Sequence, residues 1–461
     1  MSGTYAVVLA AGMGTRMKSK KHKVLHEICG KPMVLHMVDT LEAAGFDRKV
    51  IVVGASREQV MERLGDHEYA IQEEQLGTAH AVMMAKDKLG HEQGLTLVCA
   101  GDTPIIRQET LEQMLQAHRA SGAAVTVLTA VVDNPFGLGR IIRDEAGNVL
   151  RIVEEKDASD EERKVQEINS SVFLYDNQLL FHALAKIDNN NAQGEYYLPD
   201  CLEVLRCEGH QVNAYVCEDP REIQGINDRA QLAIANEIIR ERIAINHMKN
   251  GVTIVDPKGT YIDAGVAIGA DTVLLPGTVL EGDTVIGEDC KIGPNAHLVN
   301  VTVEDGVKIQ HSVLTDAVVE REATVGPFAY LRPKAHIGQG AKIGDFVEIK
   351  NAKIGAGSKV SHLSYIGDAE IGSGVNVGCG TITVNYDGVN KYKTIVGDDS
   401  FIGCNSNLVA PLTLGKKVYV AAGSTVTDDV PDGALAIARE RQVTKEGYTE
   451  KLEARLKEQK K

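Results

Sequence analysis

No apolar run in the sequence approaches the ~20 residues of a membrane-spanning helix, so no membrane span is expected. An excess of positive charge is also missing: 49 Lys and Arg stand against 64 Asp and Glu, a formal net charge of −15. Phosphate backbones call for a broad basic surface, so a nucleic-acid partner is excluded. A small phosphorylated substrate needs only a local basic pocket and is not excluded. There is no C-x-x-C pair among the eight cysteines, Cys29, Cys99, Cys201, Cys207, Cys217, Cys290, Cys379 and Cys404, and no zinc site is expected. The opening stretch MSGTYAVVLAAG lacks the basic and then apolar layout of a signal peptide. The cysteines therefore read as reduced thiols, and a cytoplasmic location is predicted.

What is present fills two or three domains: 461 residues, 43% hydrophobic and 25% charged, allow each its own core. The N-terminal half alternates apolar runs with amphipathic stretches. YAVVLA, KVIVVG and LTLVCAGD read as buried strands; KPMVLHMVDTLEAAG, with Pro32 in its first turn and Gly45 at its end, and HAVMMAKDKLG read as helices. This alternation predicts an α/β domain with a mostly parallel sheet covered on both faces, and ligands at the carboxyl ends of its strands. Leu232, Ala235, Ile239 and Ile243 then fall at helical spacing, predicting a connecting helix, packed on a neighbour or free-standing.

Beyond that helix an aliphatic residue recurs every six positions, through Ile262, Ile268, Leu274, Leu280, Ile286, Ile292 and Leu298. The interval returns at Val313, Val319, Val325, Leu331, Ile337, Ile343 and Ile349, and again from Val396 to Val426. Such a hexapeptide repeat predicts a parallel β-helix, each hexapeptide forming one side of a triangular coil with its aliphatic residue inward. The tail EGYTEKLEARLKEQKK predicts a helix capping that end, packed on its own chain or reaching a neighbour.

The loop after the first strand, LAAGMGTRMKSKKHK, carries Leu9, Ala10, Ala11, Gly12 and Gly14, then Arg16 and Lys23. Its glycines let backbone N–H groups approach a phosphate, and its cations form a basic cluster in an acidic protein. No Lys-Ser or Lys-Thr closes it, so it is not a Walker loop, nor is it a G-x-G-x-x-G fingerprint. The motif LAAGMGTRM resembles the opening of the sugar-nucleotide pyrophosphorylases. QEEQLGTAHA, GDTP, GLGR, VEEKDA, EINSSV and GINDR follow in that family's order. Together with the hexapeptide half, the whole chain resembles the bacterial bifunctional N-acetylglucosamine-1-phosphate uridylyltransferase and glucosamine-1-phosphate acetyltransferase family.

The resemblance implies a Rossmann-like nucleotidyltransferase domain over 1–228, a linker helix over 229–250 and a left-handed β-helix with a C-terminal helix over 251–461. It assigns Gln72, Gly77 and Thr78 to the uracil of UTP, Arg16 and Lys23 to its phosphates, and Leu9, Ala10, Ala11 and Gly12 to the same nucleotide site. Gly139, Glu154 and Asn169 fall to the sugar, and Asp102 with Asn227 to Mg²⁺. Taken by themselves, Asp102 and Asn227 read rather as a strand-end carboxylate and a turn asparagine capping the connecting helix. Ala100 stands where the family often has an aromatic or other residue before the Gly-Asp pair.

A purely structural β-helix needs aliphatics, glycine and polar turns. This one adds Arg332, Lys350, His362 and Tyr365, then breaks its period at VNVGCGTITVNYDGVNKYKT. Loops that break a solenoid lie on its binding face. Arg332 and Lys350 are one coil apart and are expected to stack, with Tyr365 a coil later. A histidine, which titrates near neutrality, suits deprotonation of an amine that attacks a thioester. By resemblance His362 is that base. Arg332 and Lys350 hold the phosphate of glucosamine 1-phosphate, and Tyr365 and Asn376 hold its sugar. Cys379, Asn385, Tyr386, Cys404, Ala422 and Arg439 line the acetyl-CoA site. Cys379 and Cys404 stand where the family commonly has alanine and serine.

The expected function is therefore acetylation of glucosamine 1-phosphate by acetyl-CoA, followed by coupling of N-acetylglucosamine 1-phosphate to UTP with release of pyrophosphate. The product, UDP-N-acetylglucosamine, feeds peptidoglycan and cell-wall synthesis. A homotrimer is expected by analogy. The competing readings are a pyrophosphorylase with a structural or regulatory β-helix, and a non-enzymatic sugar-nucleotide scaffold.

Overall fold

The structure, a computed structural model, describes residues 3–191 and 193–460. It divides into two units, Met1–Ile243 and Ala244–Lys461.

The N-terminal unit is built on one sheet. Its strands are β1 (Gly3–Ala10), β2 (Arg48–Val53), β3 (Glu68–Ile71), β4 (Gly94–Ala100), β5 (Val125–Val131), β6 (Arg140–Arg143), β7 (Val149–Val153), β8 (Glu167–Asp176) and β9 (Val212–Val216). Their order is β9-β5-β8-β4-β1-β2-β3, with β6 and β7 as an appended hairpin. The pairs among β4, β1, β2 and β3 and the pair β5–β9 are parallel, whereas β8 runs antiparallel between β4 and β5. Alternate residues point to opposite faces. Val7, Val50, Val52 and Val98 therefore join one core, and Ala6, Val8, Ile51, Val53, Leu97 and Cys99 the other. The second core receives Val34, Met37, Val38 and Leu41 of the helix Met33–Ala43, and Leu111, Met114 and Leu115 of the helix Gln108–Ser121. Each such fully buried side chain contributes about 1.5–3 kcal/mol.

One expectation about helices changes, and one open alternative is decided. HAVMMAKDKLG is two short helices, Thr78–Met83 and Lys86–Leu89, rather than one. The connecting helix runs Arg229–Lys249 and its first part is not free-standing. Ala235, Ile238 and Ile239 are buried with Met17, Ile28, Met33, Ile105 and Ile226, and Leu232 and Ile243 pack at the edge.

The C-terminal unit is a parallel β-helix of three sheets, with 11, 10 and 9 short strands, each pairing with the strand one coil on. Inward residues stack in register, as Leu280 on Leu298, Leu298 on Leu314, and Leu331 on Ile349. One position in the repeat is corrected. Leu314 is fully buried while Val313 is 41% exposed, so Leu314 is the inward residue. The coil sides are not all six residues long: five residues separate Ile309 from Leu314 and Leu314 from Val319. A strict count of six slips there by one, which in a strand exchanges inside for outside. The insertion lengthens one coil, so that Ile371 pairs with Val396 and Ile382 with Asn407. The terminal helix Tyr448–Glu458 has no buried residue.

Candidate active sites

In the N-terminal unit the loop after β1 turns at Gly14, whose φ is 61°. A Cβ there would lie 2.3 Å from the Cβ of Lys23, so glycine is required. Nothing lies within 4 Å of where a Cβ on Gly12 would stand, leaving its backbone open to a ligand. The side chains of Ala10 and Ala11 are buried in the two cores, so these residues offer a ligand their backbone.

Lys23 is the hub of this end of the sheet. Its ammonium pairs with the Asp102 carboxylate and donates to Asn227 Oδ1 at 2.7 Å. Arg16 Nη2 donates to the same oxygen at 2.9 Å. The Ile226 amide donates to the Asp102 carbonyl at 2.9 Å, which ties the two loops together. Asn227 does not cap the connecting helix. Asp228 does, accepting the Gln231 amide at 2.9 Å, and this leaves Asn227 Oδ1 facing the cations. Asp102 and Asn227 thus turn two hard oxygen donors onto one positive charge, a donor set suited to Mg²⁺. Among the described residues no group of three or more His, Cys, Asp or Glu is gathered for a metal. A cation held by these two oxygens would draw its other ligands from phosphate and water, as Mg²⁺ does.

A cavity of about 820 Å³ opens beside these groups, lined by Leu9, Thr78, Asp102, Glu154, Asn169 and Asn227 among others. Gln72 lies behind it, buried, with Nε2 donating to the Gly77 carbonyl at 3.2 Å and 3.1 Å from His80 Nδ1. Gly77, at φ 112°, leaves no room for a side chain: a Cβ would stand 2.5 Å from the Tyr196 carbonyl oxygen. Among the residues expected to meet the sugar, the Asn169 amide donates to the Gly139 carbonyl at 2.9 Å. A Cβ on Gly139 would come within 3.1 Å of Glu154 Oε1. Burial, and then the charge of Asp157, pushes the Glu154 carboxyl above its usual range. Tyr197, which also lines the cavity, carried no motif in the sequence.

In the β-helix, Arg332 and Lys350 do stack: Leu331 pairs with Ile349, and the Arg332 amide donates to the Ile349 carbonyl at 2.8 Å. Tyr365 is displaced from the place expected, since it pairs with Glu348, and Lys350 meets Gly367. The five-residue side from Ile349 to Ile354 makes this coil 17 residues long, and Tyr365 still falls two positions before the partner of Lys350. Arg332 is not unpaired either; its Nη1 donates to Glu348 Oε1 at 2.7 Å. Lys391 of the inserted loop lies beside Lys350, whose proximity holds the Lys391 ammonium below its usual range, and the Asp368 carboxylate interacts with both. Two ammonium groups so close are arranged for an anion. The loop is tied down through Asn385, whose Nδ2 donates to Asp368, which also accepts Asn351 Nδ2 at 2.6 Å. Tyr386 is exposed, its hydroxyl donating to the Gly388 carbonyl. Asn376 lies on the neighbouring face, paired with Lys359 and Phe401, away from the strands of Arg332, Lys350 and Tyr365.

His362 stands at a corner of the coil, exposed, with Nδ1 2.7 Å from Asp345 Oδ1. A carboxylate only accepts, so Nδ1 carries a proton, and in the neutral ring the lone pair is then on Nε2. That bond holds the Asp345 carboxyl below its usual range. Asp345 pairs with His362 one coil later. The same register continues upward, through Val360 on Val377, Val377 on Ile402 and Ile402 on Val420. Two residues beyond those inward positions, Asp345, His362, Cys379, Cys404 and Ala422 form one column. Arg439 reaches its upper end, with Cδ 3.9 Å from where a Cβ on Gly423 would stand. Asp345, Glu348 and Lys391 escaped the reading of the sequence. Each lies within about a coil of a recognised residue, but only the measured coil lengths bring them together.

Comparison with known proteins agrees with both halves. A MobA-like NTP transferase domain matches residues 6–168, and the hexapeptide repeat of succinyl-transferase matches residues 283–311 and 393–428. The chain is 57% identical over 460 residues to the bifunctional protein GlmU of Brevibacillus brevis, covering 100% of both chains. It is 56% identical over 449 residues to that of a Geobacillus species, covering 97% of this chain and 98% of that one. This chain belongs to the family of the bifunctional GlmU proteins.

Proposed function

We propose that the chain is a bifunctional transferase of UDP-N-acetylglucosamine synthesis. Its β-helix transfers acetyl from acetyl-CoA to glucosamine 1-phosphate, and its N-terminal domain, over 1–228, transfers UMP from UTP to the acetylated product. The observation that carries this reading is the His362–Asp345 pair with its free Nε2. It stands on a solenoid that has no structural need of it.

In acetyl transfer, Nε2 of His362 takes the proton from the sugar amine as the amine attacks the thioester carbonyl. Asp345 keeps the imidazole in the required tautomer and stabilises its charged form. Lys350, with Lys391 beside it, faces the sugar phosphate; Arg332 and Tyr365 flank it on the same sheet, and Asn376 serves from the adjoining face. Acetyl-CoA runs past Cys379, Cys404 and Ala422 up the column, with Asn385, Tyr386 and Arg439 along its length.

In uridylyl transfer, Asp102 and Asn227 would hold Mg²⁺, which would supply charge neutralisation at the triphosphate. Arg16 and Lys23 draw the phosphates in. The Gln72–Gly77 loop and Thr78 hold the base, while Gly139, Glu154 and Asn169 hold the sugar. The chemistry is positioning and neutralisation rather than proton transfer.

The protein acts as a homotrimer in the cytoplasm. Two features support assembly: Asn376 lies on a different face from its partners in the sugar site, and the terminal helix leaves Tyr448, Leu452 and Leu456 exposed. Among the described residues no helix is long and apolar enough to cross a membrane.

Mixing two variants tests the function. His362→Ala and Asp102→Ala are each expected to make no UDP-N-acetylglucosamine from glucosamine 1-phosphate, acetyl-CoA, UTP and Mg²⁺. Mixed together, they are expected to restore it. An inactive mixture of folded variants overturns the two-site reading.

A further inference from the structure

Cys379 and Cys404 occupy equivalent places in successive turns of the β-helix. Val377 and Ile402, two residues before them, pair directly, and the Asn405 amide donates to the Cys379 carbonyl at 2.7 Å. Each cysteine precedes a left-handed turn residue, Gly380 at φ 74° and Asn405 at φ 53°. Matched positions on adjacent parallel strands project the same way about 4.8 Å apart. Disulfides join Cα atoms roughly 4.4–6.8 Å apart, so this pair is within bridging range. Access narrows the candidates: Cys404 and Cys207 are exposed and Cys379 and Cys29 half-buried, whereas Cys99, Cys201, Cys217 and Cys290 are buried; of the accessible four, only Cys379 and Cys404 stand at matched places on adjacent coils. Both stand on the column of His362, which neither proposed reaction requires them to assist chemically.

We propose that Cys379 and Cys404 form a reversible dithiol–disulfide site that closes the acetyl-transfer site in the presence of a low-molecular-weight disulfide, RSSR. Cys404, the more accessible, loses its proton and attacks one sulfur of RSSR. The Cys404–S–S–R bond forms, the S–S bond of RSSR breaks, and the departing thiolate takes up a proton as RSH. Cys379 then attacks the Cys404 sulfur, releasing the second RSH and leaving the Cys379–Cys404 bridge. Two protein thiols are oxidised and one small disulfide is reduced to two thiols. Thiols restore the dithiol by the reverse exchange, since exposed bridges are the labile ones. The bridge caps the column directly above His362, where the thioester carbonyl must approach. The gating rests on the acetyl-transfer reading; the bridge itself does not.

The test treats the reduced full-length chain with oxidised glutathione. Peptide mapping should find Cys379 joined to Cys404, in a chain lighter by two hydrogens at this pair. Acetyl transfer, followed by loss of thioester absorbance, should fall by about tenfold or more. Uridylyl transfer from N-acetylglucosamine 1-phosphate should be unchanged, and dithiothreitol should restore the lost activity. Cys379→Ala should trap a stable glutathione adduct on Cys404, and Cys404→Ser should give no bridge. Separate adducts on both cysteines of the wild type, or a bridge with acetyl transfer undiminished, would overturn the proposal. A reduced wild type with no acetyl transfer at all refutes the functional reading and the gating together, while mapping still decides whether the bridge forms.

Discussion

His362 and Tyr365 lie off the inward phase of their repeat, so their unusual position could be read from spacing alone. Asp345 could not. Its contact with His362 depends on a coil of 17 residues where a regular one has 18, and a one-residue error moves it to another face. Because Asp345 fixes the imidazole tautomer without touching substrate, Asp345→Asn is expected to lower kcat for acetyl transfer by roughly 10–100-fold. KM for both substrates should stay nearly constant; a change confined to KM would refute the positioning role. Gly77 allows a similar argument from sterics. Its φ of 112° and the 2.5 Å approach of the Tyr196 carbonyl oxygen make Gly77→Ala costly. The expected loss is about 1–3 kcal/mol of local stability, seen as a higher KM for UTP with acetyl transfer intact.

At the scale of elements, the strands of the sheet and the six-residue rhythm were legible because burial imposes short periods on the sequence. Helix breaks and five-residue coil sides were not, because they change the count without changing the composition. Paired truncations check the corrected register. Leu314→Ala should destabilise the β-helix by about 2–5 kcal/mol in denaturant unfolding, and Val313→Ala by about 0.5 kcal/mol or less. The reverse order would restore the strict count of six. In the N-terminal unit, burial and then the charges of Glu203 and Asp188 push the Asp200 carboxyl up to about 6. The unfolded chain releases that proton near pH 4, so the folded state loses stability as pH rises from about 4 to about 6. Asp200→Asn should therefore raise Tm at pH 7 but not at pH 4. After allowance for partial exposure and a helix N-terminus that favours the anion, the gain is about 1–2 kcal/mol.

On the scale of the whole molecule, the resemblance reached further than the periodicities, since no spacing rule links a glycine loop in one unit to a histidine in the other. The structure adds physical reasons for residues the resemblance only assigned. Lys23 joins Asp102 to Asn227, and a single column joins Asp345, His362, Cys379, Cys404 and Ala422. Assembly is checked by sedimentation, where a trimer is expected and a single monomeric species would contradict it. The central claim, two independent active sites on one chain, is tested most directly by following thioester consumption and pyrophosphate release separately in two folded variants. His362→Ala should lose thioester consumption and keep pyrophosphate release from N-acetylglucosamine 1-phosphate and UTP, and Asp102→Ala should do the opposite. Loss of both activities from either single change would contradict the account.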